Sequence, residues 1–497
     1  MSVDERVAAP VRRFNAEVLL GLGVFGTSLT LLLIRFLVPR PVSMSDNGDG
    51  FRVLCAVGIT WKSKPEQFVH LNWDMAADGC QANYAMTQSW LAGLASAFGH
   101  AVGMDTTLSL VVLGIVSSVI AAAAIALVVL GLPYGRRVRL LVATALMLVI
   151  ADSAFFGYFS SIFGEGTAFL GLVLIAGGLV LTARPGRWSY LGMAVTFAGG
   201  LLAINAKAQM LTVLPLLALA VLLVRPGGHR GFKRWIPSAA MVLALGVSTV
   251  LVWQTVEPAL STNGTESRVP GADSEEVNVF NAVFLTIVDG KHDTVADLDA
   301  LGLPRSFAQY AGQSWWGEHP ARVDPLFPQV RGQFTRENVF SYYLHHRGRT
   351  TAVLQQAAQD LLTARPGYLA SFDASAGFPP AEEEYRVPVV SWLTGLLAPL
   401  GLFALVPLWL LVLARIWWQR RTALGVVLGF LLAVALSQYV SAALGDGIEG
   451  IKHQVVALFA TLLALVLAIP FRQVPQFWPS EPRWGTNSSV TGPSLPG

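Results

Sequence analysis

The stretch Met44-Ser-Asp-Asn-Gly-Asp-Gly-Phe51 puts two carboxylates, Asp46 and Asp49, just beyond the first long apolar run. The glycines around them leave the backbone free to turn and to approach a ligand closely. Three other places collect unusual polar groups. They are the stretch from Asp152 to Glu165, Asn205-Ala-Lys207-Ala-Gln209, and Gly445-Asp-Gly-Ile-Glu-Gly-Ile-Lys452-His453-Gln454. A carboxylate can take a proton from an acceptor hydroxyl. Lysine and histidine can hold a phosphate and stabilise it as it leaves. Such a set suits a reaction on an anionic, lipid-linked substrate. Ionisable groups at or inside membrane helices are costly, so each is a functional candidate by default.

Each group also has a plain structural explanation. Asp46 and Asp49 could end a helix in a solvated turn, for which Asp-Asn-Gly-Asp-Gly is good chemistry. Glu165 could be an acid favoured at a helix start, and Lys207 could snorkel to headgroups. Lys452 and His453 could be an ordinary loop pair. What favours function is the coincidence of four such sites in a chain with so few charges.

The elements that must position them are membrane helices. Hydrophobic residues make up 54% and charged residues 13% of 497 positions, with a mean hydropathy of +0.55. Soluble domains carry about 25% charged residues. Apolar runs long enough to cross a bilayer recur at 17–38, 106–131, 138–157, 165–183, 189–206, 209–224, 236–255, 391–413, 421–442 and 451–470. The expected fold class is an all-α integral membrane protein with about ten transmembrane helices and two sizeable extracytoplasmic segments. Four loops carry arginine or lysine and no acid: around Arg136 to Arg139, Arg184 to Arg187, Arg225 to Arg234 and Arg415 to Arg421. The positive-inside rule assigns them to the cytoplasm, with both termini.

The expected organisation follows from that. Residues 1–16 form a cytoplasmic N-terminus. Helices one to seven fill 17–255, including an outer loop at 42–105. An extracytoplasmic domain spans 256–390, helices eight to ten span 391–470, and 471–497 is a Pro-, Ser- and Gly-rich disordered cytoplasmic tail. Met86 to Phe98 has helical apolar spacing and could lie in the interface plane. Gln355 to Thr363 reads as a helix stopped by Arg365-Pro-Gly. No cleavage site follows the first apolar run. The net charge of +3 reflects membrane orientation and does not point to nucleic acid. The two cysteines, Cys55 and Cys80, both fall in the first outer loop, where a disulfide can persist. No Cys/His metal motif, phosphate-cradling loop or nucleophile elbow is present.

Asp46-Asn-Gly-Asp49-Gly-Phe-Arg52, Tyr158-Phe-Ser-Ser-Ile-Phe-Gly-Glu165 and the run from Phe280 with Asp297 to Pro304 and Tyr342-Tyr-Leu-His-His resemble a multi-spanning glycosyltransferase of the GT-C class. More closely, they resemble bacterial glycan-biosynthesis hexose transferases. The resemblance implies an enzyme of the cell membrane that moves a sugar from a polyprenyl-phosphate donor to a glycan or lipid acceptor of the cell envelope. It implies inversion at the anomeric carbon and an extracytoplasmic active site with an acid from the first outer loop. That acid maps onto Asp49, or onto Asp46 in another register. Glu165 then orients the acceptor or the base, while Asp152, Lys207, Gln209, Lys452 and His453 bind substrate. Some members of the class need a divalent metal and others do not, so no cofactor is fixed. The main rival is a non-catalytic lipid-linked glycan transporter or flippase, which needs a polar path through the bundle. A scaffold binding partners through its outer domain would leave the charges at the membrane edge unexplained.

Overall fold

The computed structural model describes residues 3–59, 67–74, 86–104, 107–227, 235–254 and 274–469. The chain is all-α and polytopic. Its helices in order are α1 (Val3–Leu37), α2 (Phe51–Ala56), α3 (Thr87–Ala101), α4 (Leu110–Gly131), α5 (Arg136–Ala151), α6 (Glu165–Thr182), α7 (Arg187–Ile204), α8 (Val213–Leu223) and α9 (Trp235–Gln254). After them come α10 (Ser274–Asn281), α11 (Thr294–Ala300), α12 (Phe327–Val330), α13 (Arg336–His345), α14 (Arg347–Thr363), α15 (Val389–Leu397), α16 (Leu402–Gln419), α17 (Ala423–Gly445) and α18 (Gly450–Ala468). Among the described residues the one sheet is a pair of two-residue antiparallel strands, Asn72–Trp73 against Leu108–Ser109.

Among the described residues, seven helices are long and apolar enough to cross a membrane: α1, α4, α6, α9, α16, α17 and α18. The other expected spans fall on α5, α7 and α8, which are shorter or less apolar. At the centre stands α6. Every one of its residues is buried, as an all-round apolar helix inside a bundle should be. It contacts α4, α7, α17 and α18.

The eighth span differs from the expectation of 391–413. The chain breaks at Gly401, whose φ is 55°, and the long helix runs from Leu402 to Gln419. The cause is a side chain from α14. The Gln355 side-chain carbonyl accepts from Leu402 N at 2.9 Å, and its amide donates to Leu400 O at 3.2 Å. Those bonds replace the ones a continuous helix would make. A Cβ at position 401 would meet Gln355 at 2.4 Å, so glycine is required by space as well as by φ.

Two elements lie along the bundle's margin. In α3, Trp90, Leu94, Phe98 and the following Val102 recur every four residues on one exposed stripe. Trp392, Leu393 and Leu396, at helical spacings of one, three and four, are likewise exposed on α15. The polar segment from Ser274 to His345 has its own core, built on Phe280, Phe284, Phe307, Trp315, Phe327 and Phe334. The helix expected at Gln355 to Thr363 ends at Thr363, and it begins earlier, at Arg347. The expected tail after Pro470, and Cys80, lie outside the described residues. Cys55 is disulfide-bonded.

Candidate functional site

The segment 42–50 leaves α1 and does not run into solvent. Ser43 N donates to Ser371 O, Ser43 Oγ donates to Ser160 O at 2.6 Å, and Ser160 Oγ donates to Val42 O at 2.5 Å. Behind it, the chain from Asp152 to Gly164 is non-helical apart from a 3₁₀ turn at Phe156–Ser160, and it is wholly buried. Irregular backbone survives at this depth because protein covers it and supplies its hydrogen bonds. Gly50 packs directly on it; a Cβ there would fall 2.0 Å from Ile162 Cδ1.

Two acidic turns meet at this place. In the first, Asp46 Oδ1 accepts from Gly48 N at 3.0 Å and from Gly50 N at 2.9 Å. In the second, between α17 and α18, Asp446 Oδ1 accepts from Ile448 N at 3.1 Å. The first acid of each turn thus bends the backbone, as aspartates do in Asx turns. The second acid of each turn, Asp49 and Glu449, faces Lys452 in the first turn of α18. Lys452 Nζ donates to Asp49 Oδ2, and to Glu449 Oε2 at 3.0 Å. The lysine side chain is 2% exposed and that of Asp49 is 45% exposed. The carboxylate therefore opens outward while its counter-ion lies beneath.

The surroundings hold this arrangement in place. Arg52 Nη1 donates to Asp49 Oδ1 at 3.0 Å, and Asn47 Nδ2 donates to Glu449 Oε1 at 2.5 Å. His453 Nε2 stands 3.9 Å from Asp446 Oδ2 and 3.8 Å from Glu449 Oε2. The Lys452 ammonium is 4.7 Å from the centre of the Phe163 ring. Glu449 itself adopts a left-handed backbone, φ 55° and ψ 36°, which costs a non-glycine residue about 1–3 kcal/mol and clusters at functional sites.

Burial pushes the Asp49 carboxyl up, but the charges of Lys452 and Arg52 outweigh it and hold the group far below the usual carboxylate range. Glu449 follows the same balance: burial raises it, Lys452 prevails, and it comes down to about 2. Asp446 goes the other way, raised by burial despite His453. Tyr368 is raised by burial and by the Glu449 charge.

The other sequence-derived candidates divide into two groups. Glu165 and Lys207 form a buried pair, Nζ to Oε1 at 2.8 Å, and Glu165 lies within electrostatic range of Lys452. Lys207 and Lys452, read from the sequence as phosphate ligands, are thus each already matched to a carboxylate. Asp152 stands apart. Its Oδ2 accepts from Val390 N at 2.6 Å and Ser391 N at 3.2 Å, and its Oδ1 accepts from Ala154 N at 3.0 Å. It fastens the start of α15. Gln209 is also elsewhere, exchanging hydrogen bonds with Gln438 on α17 at 3.2 Å in both directions. Among the described residues no group of three or more His, Cys, Asp or Glu could hold a metal ion.

Sequence reasoning gave no role to Asn47, Asp446, Glu449 or Tyr368, although the first three lie in stretches it singled out. A usable signal was present. Asp446-Gly-Ile-Glu449-Gly repeats the spacing of Asp46-Asn-Gly-Asp49-Gly, with an acid, a second acid three positions later and a glycine after it.

No curated protein matches this chain. Among solved structures, it is similar to the Archaeoglobus fulgidus oligosaccharyltransferase, solved tethered by a disulfide to an acceptor peptide with the NVT sequon. Identity is 12% and the TM-score is 0.36, over 90% of this chain and 49% of that one. The chain therefore spans about half the length of that protein, and a likeness this loose fixes neither fold nor activity. The model of one family, described as the YfdI N-terminal transmembrane domain, matches residues 6–479.

Proposed function

The chain belongs to the YfdI N-terminal transmembrane domain family, and within that membrane setting we propose that it is an inverting glycosyltransferase working at the outer face. The observation that carries the reading is the half-exposed Asp49 carboxylate, kept ionised by Lys452 and Arg52 at the end of the bundle away from the arginine-bearing loops. The donor is a sugar on polyprenyl phosphate and the acceptor is a hydroxyl of a cell-envelope glycan or lipid.

The acceptor oxygen attacks the anomeric carbon, and the bond from that carbon to the phosphate oxygen breaks. The hydroxyl proton passes to Asp49, and the polyprenyl phosphate leaves as an anion. An ion held this firmly is a weak base. The arriving phosphate competes with Asp49 for Lys452 and Arg52, and that competition restores basicity when the donor is in place. Asn47 and Glu449 set the position of Lys452, and the Glu165–Lys207 pair supports the floor beneath it.

The test is transfer by purified protein in lipid nanodiscs, with a polyprenyl-phosphate hexose as donor. Asp49→Asn should lower turnover by about 10²–10⁴, the usual worth of a general base, with donor affinity raised, because the carboxylate that competes for Lys452 and Arg52 is gone. Near-normal transfer by Asp49→Asn together with a dead Asp46→Asn would move the base to Asp46. Full activity in both variants would end the catalytic reading.

A further inference from the structure

A long groove runs between α1 and α5, away from the Asp49 cluster. Its volume is about 1850 Å³. Small and apolar residues line it, among them Leu20, Gly23, Thr27, Ala143, Thr144 and Met147. It extends from Glu17 to Arg35, about 27 Å of helix at 1.5 Å per residue. That is close to the thickness of a bilayer's hydrocarbon core, about 30 Å. A groove of this length on a membrane helix pair meets hydrocarbon along its whole course.

Its two ends differ in charge. At the end near Ala151, Arg35 is matched by the buried carboxylate of Glu384. At the other end stand Arg136, Arg139 and Arg184 with, among the described lining residues, a single acid, Glu17. Arg139 Nη1 pairs with Glu17 Oε2 at 2.7 Å, and Arg184 Nη1 lies 3.5 Å from the same oxygen. Glu17 is used up by these two. Arg136 is exposed at the mouth and has no ion-pair partner among the described residues. Trp188 lines the same groove, with the Arg184 guanidinium 5.5 Å from its ring centre. Tryptophan and arginine together at a membrane interface are the usual surroundings of a lipid headgroup.

We propose that the groove between α1 and α5 binds an anionic phospholipid of the cytoplasmic leaflet. Its phosphate sits between Arg136 and Arg184, and a hydrocarbon chain lies along the groove floor. The arginine-bearing end is the one the positive-inside rule assigns to the cytoplasm. The excess of cations over acids selects a negative headgroup over a zwitterionic one. The site is separate from the donor site proposed above and does not depend on it.

The test is retention of added lipid by the purified full chain, read by native mass spectrometry. Phosphatidylglycerol is compared with phosphatidylcholine. Phosphatidylglycerol should be retained preferentially. Arg136→Gln should lower its retention about fivefold, the worth of one arginine beside an anionic lipid surface. Gly23→Phe should lower it as well, because it fills the groove. No atom lies within 4 Å of a Cβ built at Gly23, so the added side chain starts into open groove space. Equal retention of the two lipids overturns the proposal. So does loss of retention in Arg136→Gln with none in Gly23→Phe, which would reduce the effect to surface charge. Displacement of the lipid by inorganic phosphate alone would also overturn it, since the chain would then add nothing to binding.

Discussion

Lys452 in the first turn of α18 donates to Asp49, a residue 403 positions earlier in the chain. The contact ties the segment after the first membrane helix to the start of the last. Because the lysine is buried and the carboxylate half exposed, the pair has a direction: charge is fixed from below and the carboxylate opens above.

That direction gives a pH signature. With Lys452 present, Asp49 is ionised throughout the working range, so kcat/KM should show no acid limb from this group near neutrality. In Lys452→Met the burial that raises the carboxyl loses its main opponent, and Arg52 remains alone. The acid limb of kcat/KM should then move up by about one pH unit or more, within the range that an opposite charge commands. An unchanged profile in an active Lys452→Met variant would show that the lysine does not tune Asp49.

Glu449 makes the same cluster a source of acid lability. Its folded value, about 2, lies below the roughly 4.3 of a free glutamate. A depressed carboxyl contributes stability that is fully present above the unfolded value and is lost as pH falls through the folded one. The thermal midpoint should therefore decline between about pH 5 and pH 2. In Glu449→Gln that decline should be shallower, and a slope equal to that of the parent protein would contradict the assignment.

Asp152 offers the contrast of a buried acid with backbone partners. Asp152→Ala strips the acceptors from Val390 N and Ser391 N at the start of α15. The expected cost is about 1–2 kcal/mol, as for other lost helix caps, seen as a lower unfolding midpoint. Turnover per folded molecule should stay near that of the parent, whereas Asp49→Asn should do the reverse. A large fall in turnover at unchanged stability would return Asp152 to the substrate site.

The bundle was legible because hydrocarbon imposes long apolar runs, and those runs can be read locally. The central helix at 165–183 needed no tertiary information. The break at Gly401 did, since it is made by Gln355 from α14, with which Leu402 shares a hydrogen bond across 47 positions. Asp152 looked like a ligand-binding acid for the same reason: its partners at Val390 and Ser391 lie some 238 positions away. Lys452 and Asp49 were both singled out from sequence, but their pairing was not, because residue type announces charge and not which opposite charge will meet it. Glu449 lay in a stretch singled out from sequence but was given no role, although its turn repeats the acid–glycine pattern of the first loop.

The pair formed by Arg35 and Glu384 tests how far the polar segment after α14 is locked to the membrane bundle. Glu384 is wholly buried and Arg35 nearly so. Arg35 also donates Nε to Ala151 O at 2.9 Å and stacks its guanidinium 4.8 Å from the Phe156 ring centre. Arg386 gives Glu384 a second, longer contact at 3.6 Å. Removing the arginine alone, in Arg35→Met, leaves a carboxylate buried with only that distant cation. Breaking one side of a buried pair costs about 3–5 kcal/mol, so a marked fall in the thermal midpoint is expected. The double variant Arg35→Met/Glu384→Gln removes the stranded charge and should recover part of the loss, with a coupling of about 0.5–3 kcal/mol between the two positions. The measurement is thermal unfolding of all three variants in the same detergent. If the double variant falls by the sum of the two single losses, the two side chains act independently, and the contact does not bind the polar segment to the first helix.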